Sequence, residues 1–223
     1  MTSPARLAAT RDGWHRVAEH VLAAGEYADT GEISLRPAPS GFQTTHQLAD
    51  GRQLSVVGTE LVVTASGSTR STALTTVRAA AAFAGVAPGM PSSVYPAATT
   101  LDLDVPLQID EESAQVLAGW YELGDAALRR FAAAVDPAVA AADPILWPEH
   151  FDVGITVDDV DYGASPGDDA IAEPYVYVSA AADRRTADPF WNARFGGYRT
   201  IRDVDSIDDA IAFFRTGRDL LTG

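Results

Sequence analysis

The chain has 223 residues, 47% of them hydrophobic, which is enough to bury a substantial core in one domain or in two interlocked halves. It has no cysteine and no lysine, so disulfides, thiolate chemistry, Cys-bound metals, Schiff bases and a P-loop lysine are excluded. A net charge of −15 argues against nucleic acid and anionic membrane surfaces as partners. No apolar run approaches the roughly 18 to 20 residues that span a bilayer, and the first residues lack a secretory core, so a soluble cytoplasmic protein is expected.

In chain order, residues 4–24 read as an amphipathic helix. Leu7, Trp14, Val17, Ala18, Val21 and Leu22 form its apolar stripe, and Gly25 is a stop. An antiparallel meander follows: "EISLR", "FQTTHQLA", "RQLSVV", "ELVVTA" and "TRSTAL", punctuated by Asp50-Gly51, Gly58-Thr59 and Ser66-Gly67-Ser68. "TTVRAAAAFAG" is a short helix, 86–99 a connector, and "LDLDV" a half-exposed strand. The longest helix starts behind Asp110, with Leu117, Tyr121, Gly124, Leu128, Phe131 and Val135 on one face. The last third supplies strands in "FDVGITV", "PYVYVSA" and "YRTIRDV", then a closing helix capped by Ser206 with Asp209. Hairpin-linked strands without βαβ alternation predict an α+β fold, with antiparallel sheets packed by about four helices. The expected organisation is a single domain over 1–223, with possible sub-halves 1–99 and 100–223.

Three motifs invite a function. "GASPG" matches the G-x-S-x-G nucleophile elbow, but Pro166 follows Ser165 and has no N–H for an oxyanion hole. No histidine follows either, so the segment reads as a loop between strands. "HRVAEH" resembles a zinc helix, yet His15 and His20 diverge by about 140° around an α-helix. A solvated face with His15–Glu19 and Arg16–His20 pairings is the better reading. "LWPEHFDVG" is more substantial. Glu149 and His150 stand at the entry of a strand that points Phe151, Val153, Ile155 and Val157 one way and Asp152, Thr156 and Asp158 the other. The loop expected over 158–173 carries six acids and no basic residue.

These residues define two candidate chemistries. A ligand site would use Tyr175, Tyr177, Trp191, Asn192 and Arg194, in a cleft between the 151–157 and 175–180 strands. An acid/base or metal-assisted hydrolase would use His150, Asp152 and Asp168 as catalytic groups. Glu149, His150, Asp161, Asp168 and Asp169 would be the possible ligands of a divalent metal. No cofactor is required by the first reading, which makes the protein a small-ligand- or partner-binding accessory protein. A structural role as a homodimer is the third reading.

The segments "LWPEHFDVG", "YGASPGDD", "EPYVYV" and "FWNARFGG", with "HRVAEHVLAAGEY" and "GTELVVT", resemble a family of uncharacterised actinobacterial proteins. The resemblance implies a bacterial cytoplasmic protein, consistent with the missing lysines, and implies no activity.

Overall fold

The computed structural model describes residues 3–135 and 143–223. The fold is α+β, with antiparallel sheet pairing, as the hairpin signals predict. The chain divides into two compact units: 1–119 with 146–151, and 120–145 with 152–223. The division falls inside the longest helix and not near residue 99.

In the first unit, α1 (Pro4–Val17) is capped by Ser3 and leads into a π-helical segment, Ala18–Ala23, and then α2 (Ala24–Thr30). The helix therefore runs through Gly25, contrary to the expected stop. Gly25 is buried, and a Cβ there would lie 2.9 Å from Val86 Cγ1, so close packing explains this glycine. The true stop is Gly31, at φ 79°.

The meander follows as β1 (Leu35–Ala38), β2 (Gly41–Thr44), β3 (Gln53–Val57), β4 (Glu60–Ala65) and β5 (Ser68–Ala73). A sixth strand, β6 (Ile145–Trp147), joins β1 through Leu146↔Leu35, giving the order β6-β1-β2-β3-β4-β5. Gly58-Thr59 and Ser66-Gly67 are two-residue hairpin turns, and both residues of the second have positive φ, 49° and 78°. The Asp50-Gly51 turn instead lies inside a longer connection, from Thr45 to Arg52. A packed trio of rings marks the core, with Phe42 edge-on to Trp14 at 5.5 Å and to Phe151 at 5.4 Å.

The expected short helix is α3 (Val77–Ala84), capped by Thr76. "LDLDV" is not a strand. At the start of α3, Arg78 N–H donates to Leu103 O and the Arg78 guanidinium pairs with Asp104, while Leu101 and Val105 are exposed. α4 (Glu111–Val135) starts behind Asp110, whose carboxylate accepts from Ser113 N.

The second unit carries the order β7-β8-β9-β10: β7 (Asp152–Val157), β8 (Val160–Ser165), β9 (Tyr175–Ser179) and β10 (Gly196–Thr200), followed by α5 (Ile207–Thr222) capped by Ser206. β8 corrects the expected acidic loop. Asp158 and Asp159, at φ 53° and 60°, form a two-residue turn in which Val157 pairs with Val160. Their short polar side chains tolerate the left-handed conformation that such a turn requires. The loop proper is 166–174, and "GASPG" is strand as far as Ser165. One sheet face is apolar: Val153, Val176 and Val178 are fully buried. Tyr162, Phe131 of α4 and Phe214 of α5 pack together with centroids 4.6 to 5.9 Å apart.

Candidate functional site

The opposite face of β7–β10 gathers four of the eleven predicted site residues, Asp152, Asp161, Tyr175 and Tyr177. Strand alternation places Asp152, Gly154 and Thr156 of β7 on it. Asp161, Gly163 and Ser165 come from β8, Tyr175 and Tyr177 from β9, and Tyr198 from β10. The pairing sets Gly154, Gly163, Tyr177 and Tyr198 in one row across four strands.

The row explains where the Tyr177 ring goes. A Cβ on Gly163 would lie 2.4 Å from Tyr177 Cζ, and one on Gly154 would be 3.3 Å from its hydroxyl. The ring therefore lies across a trough left by two glycines. Its O–H reaches Asp152 Oδ2 at 2.5 Å. Burial, and then the Asp152 charge, push the Tyr177 hydroxyl well above its ordinary value, so it stays protonated and donates.

Tyr175 does the same for the acidic loop. Its O–H donates to Asp168 Oδ2 at 2.6 Å, while Asp168 Oδ1 accepts the N–H groups of Ala170 and Ile171 at 2.7 and 2.8 Å. Burial leads the forces that raise the Tyr175 hydroxyl, followed by the bond to Asp168. Phe195 and Tyr198 complete a ring cluster with Tyr175, at 6.2 and 5.8 Å from it. Phe195 is 37% exposed, and Tyr177 and Tyr198 are half-buried, so ring surface faces solvent.

Other predicted residues have different work. Asn192 holds the strand edge: its Nδ2 donates to Tyr198 O and its Oδ1 accepts from Tyr198 N, as a neighbouring strand would. Trp191 is half-buried, edge-on to Phe190, with its indole N–H 3.3 Å from Thr186 Oγ1. Arg194 is exposed. Asp161 accepts from Thr156 Oγ1 at 2.7 Å, and Asp169 is exposed. Ser165 is buried in β8, its carbonyl accepting from the Trp120 indole at 2.8 Å, and no helix follows it.

Nor do β7 and β9 border a cleft, because β8 lies between them. Glu149 and His150 belong to the first unit, in the turn after β6, where His150 is exposed. Among the described residues, no three His, Asp or Glu side chains gather as a metal-ion cluster.

"HRVAEH" also differs from expectation, since the π-helical segment buries both Glu19 and His20. The Glu19 carboxylate accepts from Ala98 N and Thr99 N at 2.8 Å and from Thr99 Oγ1 at 2.6 Å. His20 O accepts from Gly89 N at 2.9 Å. The connector lacks regular structure there, and these two residues supply partners for its backbone. His15 is stacked on Phe151 at 4.8 Å, with Nε2 2.7 Å from Pro148 O. Burial lowers its pKa, outweighing the Pro148 carbonyl and Glu19, so the ring is neutral and Nε2–H donates.

Phe195 and Tyr198 belong to the ring-rich stretch that the sequence shows after residue 174, whereas Gly154 and Gly163 carry no such signal. The alternating run "GITV-DD-VDYG" signals the hairpin that would have placed the two glycines opposite each other. Comparison with protein-family models, curated proteins and solved structures gives no match to this chain. Among the described residues no helix is long and apolar enough to cross a membrane.

Proposed function

We propose that the protein is a cytoplasmic accessory protein that binds a small ligand on the ring-and-carboxylate face of β7–β10. The observation that carries this reading is the Tyr177 ring laid over Gly163 and tied to Asp152, beside the solvent-facing rings of Phe195 and Tyr198. Ring faces next to fixed acceptors suit a compact molecule with hydroxyl groups and an apolar flank, such as a monosaccharide. Stacking would hold the flank, with Tyr177, tied to the buried Asp152, as the fixed floor beneath it.

A hydrolase built on His150, Asp152 and Asp168 has less support, because Asp168 already accepts three hydrogen bonds that fold its own loop. The test is a thermal-shift screen of monosaccharides and polyols against the wild type and Phe195→Ala. Binding at this face predicts a melting temperature that rises with ligand concentration in the wild type and stays flat in the variant. Hits that persist unchanged in Phe195→Ala, or no hit at all, contradict the proposal.

A further inference from the structure

We infer that the first unit holds a separate site, for a small monocarboxylate with an apolar tail, in the cleft between the start of α1 and residues 107–110. The cleft has a volume of about 450 Å³, within the range of small-molecule sites. Ala5 and Ala9, one turn apart on α1, and Leu107 and Ile109 opposite them form its apolar walls. One turn further along α1 the walls close: a Cβ on Gly13 would stand 3.1 Å from Ile109 Cγ1. The space is thus a wedge that opens toward the N-terminus, where Arg6 stands.

Arg6 and Asp110 form the polar rim, and they are not equally committed. Asp110 Oδ2 accepts from Ser113 N and Ser113 Oγ at 3.0 and 2.8 Å, and its own N–H donates to Thr10 Oγ1 at 2.9 Å. The Arg6 side chain is 67% exposed, and its guanidinium forms only a loose ion pair with Asp110 Oδ1, at 3.7 Å and too long for a hydrogen bond. A planar guanidinium beside an apolar wedge matches a carboxylate head in bidentate fashion with an aliphatic tail below it. The apolar walls restrict the charge of the ligand. A second carboxylate at the end of the tail would have to shed its water between Ala9, Leu107 and Ile109, so a dicarboxylate of equal length is excluded.

The experiment titrates the full chain, with ¹³C-methyl-labelled alanine, with hexanoate, hexanamide and adipate, and follows the Ala5 and Ala9 methyl signals by NMR. Hexanoate is expected to give saturable shifts, with hexanamide and adipate each binding at least about tenfold more weakly. Arg6→Gln, at an exposed position, is expected to lose about tenfold of the hexanoate affinity, and Ala9→Leu to abolish binding by filling the wedge. Equal binding of hexanamide, unchanged affinity in Arg6→Gln, or no saturation by about 20 mM hexanoate overturns the inference.

Discussion

At the scale of single residues, the proposed site depends on a match between an absent side chain and a present one. Gly163 leaves the space that Tyr177 fills, and Tyr177 then supplies the proton that Asp152 accepts. Gly163→Ala forces its methyl to within 2.5 Å of the ring, so the ring must move, and a loss of about 1 to 3 kcal/mol in denaturant unfolding is expected. Tyr177→Phe keeps the ring but withdraws the proton from a buried carboxylate, costing about 1 to 3 kcal/mol. An unchanged unfolding midpoint in either variant contradicts the description. Strand alternation at "PYVYV" was enough to place both tyrosines on one face. Sequence alone could not show that Asn192 serves the Tyr198 backbone, because that bond depends on the return of the 188–196 loop to the sheet edge.

Among the elements, the π-helical segment has the most specific role. It turns Glu19 and His20 inward together, and Glu19 fixes the connector at Ala98 and Thr99. Glu19→Ala removes three hydrogen bonds, and a cost of about 2 kcal/mol is expected. Amide exchange should then accelerate at Ala98 and Thr99 while the β3–β4 ladder stays protected; equal acceleration in both places contradicts a local role.

His15 ties α1 to the turn after β6 in its neutral form. Its lowered pKa means that its contribution to stability is complete above the usual imidazole value of about 6.5 and is lost as pH falls through the lower folded value. His15→Gln should remove that part of the acid slope, which is read as the difference between wild-type and variant stability from pH 7.5 to 4.5. Parallel pH profiles contradict it. A periodic pattern of 3.6 cannot reveal a π segment, since the wider turn is imposed by tertiary bonds to a connector some 80 residues away. The "GITV-DD-VDYG" hairpin, by contrast, has a local signal on both sides of its turn, but the density of aspartates made it read as a loop.

For the whole molecule, charge and class were the most legible features, because both are sums over composition and hairpin punctuation and do not need contacts. A net charge of −15 works against the compact state through self-repulsion. Raising sodium chloride from about 10 mM to about 200 mM should therefore raise the melting temperature, and a fall would show that ion pairs outweigh repulsion. The division of the chain was not legible, because it falls inside a 25-residue helix whose apolar stripe runs on without a break.

The site claim is tested most directly by NMR of the protein carrying ¹³C-labelled tyrosine, titrated with the monosaccharide that raises the melting temperature most. Concentration-dependent shifts are expected at Tyr177 and Tyr198, with Tyr121 and Tyr162 unmoved. Shifts spread evenly over all tyrosines, or absent from Tyr177 and Tyr198, would contradict it.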